Sequence, residues 1–125
     1  MNPIPADPLP ASQRRRAALA AAIPDLEARQ GRFDTGVETV EADIFTAFLD
    51  YLVQLAGELD AAAEAGATDR IRAIGHSIKG MGGSCAAPEI SVLGEEFEIA
   101  ARAGDLPRCR VLLAALRGWR AAAAP

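Results

Sequence analysis

Apolar residues recur every three or four positions in four separate stretches of the chain, and each recurrence predicts an amphipathic helix. The longest covers residues 38–65, with Ile44, Phe45, Phe48, Leu49, Leu52, Leu55, Ala56 and Leu59 on a broad apolar side and Asp43, Asp50, Gln54 and Glu58 on the polar one. Gly66 stands where a helix of this kind stops. The second stretch, capped by Thr68 or Asp69, brings Ile71, Ile74, Ile78, Met81 and Cys85 into an arc of about 80° when each residue is turned by roughly 100°. Its end is expected between residues 84 and 87. The third opens at Pro88, which suits a first helical turn, and Glu89 complements the positive end of that helix. It carries the stripe Ile90, Leu93, Phe97 and Ala100 and stops at Gly104. The fourth begins at Asp105 and Pro107; its stripe is Val111 or Leu112, then Ala115, Leu116 and Trp119, with residues 121–125 expected to fray.

The leading part is less regular. Pro3, Pro5, Pro8 and Pro10 make residues 1–11 a tail. Ser12 can cap a short helix through Leu19 to Ile23, Pro24 restarts the chain before residues 25–30, and a loop follows from Gly31 to Gly36. Residues 12–37 are thus an N-terminal helix and loop, and residues 38–120 the main bundle. Short links between successive helices force antiparallel neighbours. The expected fold is all-α, an antiparallel up-down-up-down four-helix bundle with an additional short N-terminal helix.

Composition narrows the function. At 125 residues the chain holds one domain, and with half its residues apolar but only 5% aromatic it suits helical packing better than a sheet. A net charge of −4 argues against sequence-independent nucleic-acid binding. No apolar run reaches the ~20 residues of a membrane span. Arg14, Arg15 and Arg16 ahead of residues 17–23 imitate a secretory leader, but the apolar part is mostly alanine and runs into Asp25, Glu27 and Arg29, so it reads as a helix and the protein as cytoplasmic. Cys85 and Cys109 read as small hydrophobes, and one histidine with two distant cysteines makes no zinc set.

The candidate chemistry lies in the second helix. His76, the single histidine of the chain, falls opposite the centre of the apolar arc. Gly80 and Gly83 sit beside it on the wheel, and Lys79 lies roughly 60° away. A glycine inside a helix costs about 0.8–1.0 kcal/mol against alanine, so these two suggest ground cleared for a close approach. Arg70, Arg72 and Lys79 outnumber Asp69 on this helix, a local positive excess suited to an anionic group. A phosphate-cradling nucleotide loop does not fit: Gly75 and Gly80 have the spacing, but Met81 replaces the lysine and no strand precedes.

The run His76-Ser77-Ile78-Lys79-Gly80, followed by small residues and by a helix with Leu93 and Phe97-Glu98, resembles the histidine-containing phosphotransfer (HPt) domain. Phe45, Phe48 and Leu52 upstream and Gly104-Asp105-Leu106 downstream fit the same pattern, over roughly residues 38–116. Met81 in place of Ser or Ala, Gly75 in place of Ala, and Ala86 at a turn position often held by Gly depart from it. The resemblance implies a monomeric phosphocarrier without an ATP site. It would take a phosphoryl group on His76 Nε2 from a receiver-domain aspartate and pass it to another receiver, with Lys79 offsetting phosphate charge. Ordinary imidazole titrates near 6.5, which leaves a neutral nucleophilic nitrogen at cellular pH. The implied partners are receiver domains of response regulators and of a hybrid sensor histidine kinase, and the receiver would supply the Mg2+. Partner contact would centre on Asp69, Arg72, Ser77, Lys79, Gly80 and Gly83 around His76. A second reading is an HPt-like adaptor that binds a response regulator or sensor kinase without chemistry.

Overall fold

Glycines with left-handed backbone end two of the helices where the pattern places them. The protein, described by a computed structural model over residues 11–123, is all-α, with no strand among the described residues. Its helices are α1 (Ala11–Ala20), α2 (Leu26–Gln30), α3 (Ala42–Glu64), α4 (Thr68–Met81), α5 (Pro88–Arg102) and α6 (Leu106–Ala122). Single 3-10 turns occupy Gly31–Phe33 and Gly83–Cys85. Gly66 and Gly104 both have φ of +65°, and each lets the chain fold back so that its own N–H and the next one cap the last carbonyls of α3 and α5. Asp105 then caps α6, accepting the Arg108 N–H at 3.0 Å. The tail expected over residues 1–11 falls, except for Ala11, outside the described residues; of the terminus expected to fray, Ala121 and Ala122 are helical and residues 124–125 lie outside.

Several boundaries differ from expectation for local reasons. Helix α3 starts at Ala42 rather than near residue 38, because Val37, Thr39 and Val40 are β-branched and resist a first helical turn. Ala67, with no side-chain cap bond, precedes α4, so neither Thr68 nor Asp69 is its cap; Thr68 is already helical and Asp69 faces the positive end of the helix. Ser12 lies inside α1 instead of capping it. Helix α4 ends at Met81 and not beyond residue 84: Gly82 presses against α5, where a β-carbon would stand 2.5 Å from the Ser91 nitrogen, and Ala86 turns the chain with φ of +61°. Cys85 consequently leaves the helical arc and is half-buried.

The predicted stripes form one core. Phe48, Leu49, Leu52, Leu55, Ala56 and Leu59 of α3 meet Ile71, Ile74 and Ile78 of α4, Ile90, Leu93 and Phe97 of α5, and Leu112, Leu116 and Trp119 of α6. Leu112, not Val111, takes the stripe position in α6. Ile44 departs from expectation: it lies in the first turn of α3, at the flank of the stripe, and is half exposed.

The N-terminal segment belongs to this core. Leu19, Ile23 and Leu26 are buried in it, and Ala18 of α1 packs near Gly118 of α6. The Arg15 guanidinium lies 5.5 Å from the Phe45 ring centre and 5.9 Å from that of Trp119. Beneath it the buried Trp119 indole N–H donates to the buried Glu89 at 3.1 Å, so Glu89 does more than complement a helix end. Arg29 of α2 reaches Glu95 at 3.0 Å and Glu96 at 2.8 Å, while Arg108 of α6 joins Glu96 at 2.9 Å to the Ala22 carbonyl at 2.6 Å. These half-buried pairs fasten α2 across α5 and α6.

Candidate functional site

Two glycines facing each other set the spacing of α4 and α5, and that spacing assembles the site. A β-carbon on Gly75 would stand 2.8 Å from Phe97 Cβ and 2.9 Å from the Gly94 carbonyl oxygen. One on Gly94 would collide with the backbone of Gly75 and Lys79. The two backbones therefore touch directly, closer than ordinary side chains allow. The consequence is that Glu98, one turn beyond Gly94, lies beneath α4.

His76 occupies the outer face of α4, with 72% of its side chain exposed, in agreement with the helical wheel. Its Nδ1 lies 3.3 Å from Glu98 Oε2, while Lys79 Nζ lies 2.6 Å from Glu98 Oε1. One buried carboxylate, its side chain only 6% exposed, thus holds both neighbours. Arg102, one turn along α5, adds a longer contact to Glu98 at 3.9 Å. Burial by itself would push the Glu98 carboxyl up, but hydrogen bonds from Lys79 and His76 and the charges of those two groups outweigh it and hold it below the usual glutamate value. Glu98 is ionised at neutral pH.

That pairing dictates a tautomer. An ionised carboxylate only accepts, so the imidazole satisfies it by carrying its proton on Nδ1. Nε2 is left with its lone pair on an exposed ring, and the contact favours one ring orientation. Lys79 is tethered rather than loose beside the ring. Arg70 is likewise occupied, by Glu58 at 2.6 Å, whereas Arg72 makes no ion pair among the described residues. The local positive excess read from α4 is therefore partly neutralised from α3 and α5. A shallow cleft lined by Arg72, Ala73, His76, Lys79, Glu98 and Arg102 remains, cationic at its rim.

The other predicted contact residues separate into two groups. Gly80 is open, with nothing near the space a β-carbon would occupy, and Arg72 and Asp69 are exposed. Ser77 is exposed and donates its hydroxyl to the Ala73 carbonyl at 3.3 Å. Gly83 is a correction. It is buried, its missing side chain filled by the Phe33 carbonyl and Thr35, so it serves packing and not clearance. The wheel could not foresee this because the helix ends at Met81 and the covering loop comes from another part of the chain. Glu98 was missed as a site residue; the only trace in the sequence is its place after Phe97, on the edge of the buried stripe. Among the described residues no cluster of His, Cys, Asp or Glu could hold a metal ion, and no helix is long and apolar enough to cross a membrane.

The sequence model of the Hpt domain matches residues 43–124, which span α3 to α6 and contain His76, Lys79 and Glu98. The chain belongs to the Hpt domain family. No curated protein and no solved structure matches the chain significantly. Hpt domains are phosphocarriers without an ATP site of their own, acting with receiver domains in phosphorelay signalling. In this Hpt domain the α1–α2 segment lies ahead of the family match and is part of the same core.

Proposed function

We propose that the protein is a cytoplasmic, monomeric phosphocarrier of a multistep phosphorelay, with His76 as phosphoacceptor. The single observation that carries this is the exposed imidazole whose Nδ1 is held 3.3 Å from a buried carboxylate. The Nε2 lone pair attacks the phosphorus of an aspartyl phosphate in a receiver. The N–P bond forms, the P–O bond to the aspartate breaks, and the aspartate leaves as a carboxylate. The phosphorylated ring retains its Nδ1 proton and gains positive character, which Glu98 offsets. Lys79, at the edge of the same cleft, offsets charge on the phosphoryl oxygens. The reverse steps deliver the group to a second receiver. Mg2+ comes with the receiver, and ATP chemistry with the kinase upstream.

The partner face consists of Asp69, Arg72, Ser77, Lys79 and Gly80 around His76, and the receivers of response regulators and of a hybrid sensor histidine kinase are the partners. An up-down-up-down order of α3 to α6, supported by their short connections, supplies the rigid flank. A non-catalytic adaptor would need neither a fixed Nδ1 proton nor a free Nε2. The deciding experiment incubates the chain with a phosphorylated receiver and looks for acid-labile, alkali-stable label. Label is expected on the wild type and absent in His76→Gln; label retained in that variant overturns the assignment.

A further inference from the structure

A docking footprint cannot be confined to α4. Its 14 residues make a strip about 21 Å long and 10 Å wide, roughly 200 Å² in projection. Even transient protein pairs cover several hundred Å² on each side, so a receiver seated on His76 must also rest on what flanks α4. One flank is α5, with Arg102. The N-terminal segment, which rests on α5 and over Gly83 just past the end of α4, supplies another surface. Arg32, Phe33, Asp34 and Thr35 line a second cleft with Lys79, Gly80 and Ser84, and Lys79 is the ridge between this cleft and the one at His76.

We propose that the loop Gly31–Thr35 is a second wall of the receiver-docking face and that Arg32 is a selectivity-determining contact for the partner; the inference rests on the phosphocarrier reading above. The loop is fixed in place. Thr35 donates its hydroxyl to the Gly83 carbonyl at 3.0 Å, the Phe33 carbonyl fills the space over Gly83, and Arg29 anchors the preceding helix to Glu95 and Glu96. Arg32 itself is available. Its side chain is 66% exposed, its contact with Glu95 is long at 3.6 Å, and the Phe33 ring 5.5 Å below the guanidinium supports it from one side. The nearby Asp34 carboxylate is turned into its own loop, accepting the Gly36 N–H at 2.9 Å. Arg32, Arg72 and Arg102 thus bracket the Lys79 ridge with positive charge, complementary to the carboxylates that a phosphorylatable aspartate and its Mg2+ ligands present. Arg32 lies outside the matched family region, apart from the residues that carry the transfer chemistry.

The test uses the full chain and Arg32→Glu. A receiver that transfers to the wild type, charged with acetyl phosphate, is expected to transfer to the variant about tenfold more slowly at low ionic strength, as charge reversal at an interface rim slows association. The deficit should shrink in 0.5 M salt, and Arg32→Lys should recover most of the rate. Labelling of His76 by phosphoramidate, which requires no docking, should proceed alike in all three, and their melting curves should coincide. Equal receiver transfer in Arg32→Glu overturns the docking role. If phosphoramidate labels the wild type and His76→Gln alike, or no receiver transfers to the wild type, the phosphocarrier reading fails and this inference with it; the two failures are distinct.

Discussion

Glu98 makes the site more than an exposed imidazole. It is buried, ionised and shared by His76 and Lys79, so its charge contributes to stability only while it remains deprotonated. Its folded pKa is lowered from the ordinary 4.5, so its contribution is present in full above that value and is lost as pH falls through the lower folded value. Glu96, held down by Arg29 and Arg108 against its own burial, behaves in the same sense. The expected outcome is an acid limb in the unfolding profile that is flatter in Glu98→Gln than in the wild type, with the two curves parallel above pH 5. Chemical denaturation at a series of pH values checks it. His76 was legible in the sequence because a polar residue opposite an apolar arc has only one place to go. Glu98 was not, since its role depends on how near α5 comes to α4, a distance that no periodicity within one helix encodes.

That distance is a property of the two elements, and glycine sets it. Gly75 and Gly94 face one another with no room for a β-carbon, whereas Gly80, one turn from His76, faces open space. The two kinds of glycine predict opposite responses. Gly94→Ala must push the backbones apart and should destabilise by about 2–3 kcal/mol, drawing Glu98 away from Nδ1. Gly80→Ala meets nothing and should leave stability unchanged or raise it by up to about 1 kcal/mol. On the reading proposed for His76, it should nonetheless slow transfer from a receiver. Urea titration alongside a transfer assay separates the two. Helix existence and most of the buried stripes could be read from the chain, because three- and four-residue spacing dictates which face is covered. Helix starts were less legible: α3 begins late over a β-branched run, and α4 has no side-chain cap to mark it.

For the molecule as a whole, the chain ahead of α3 is a structural part of the bundle. Leu19, Ile23 and Leu26 are all buried, and at about 1.5–3 kcal/mol for each such side chain their loss would remove about 5–9 kcal/mol. A domain of this size has a total stability of about 5–15 kcal/mol. A chain beginning at residue 42 should therefore melt far below the full protein or collapse without cooperative unfolding, as calorimetry would reveal. The apolar character of Leu19, Ile23 and Leu26 is a trace in the sequence, although α1 ends at Ala20 and Leu26 opens α2, so no single helical face links the three. The partners of Arg29 and Arg108 left no such trace, because ion pairs between residues this far apart follow no local pattern.

The hydrogen bond from Arg108 to the Ala22 carbonyl joins positions 86 residues apart, and α1 rests on α6. During synthesis α1 leaves the ribosome well before α6 and must therefore wait for it before its apolar side is covered. Over that interval Leu19 and Ile23 are available to chaperones or to neighbouring nascent chains. Ribosome-bound intermediates stalled before residue 108 should accordingly remain protease-sensitive across residues 11–30, and gain protection only when α6 emerges.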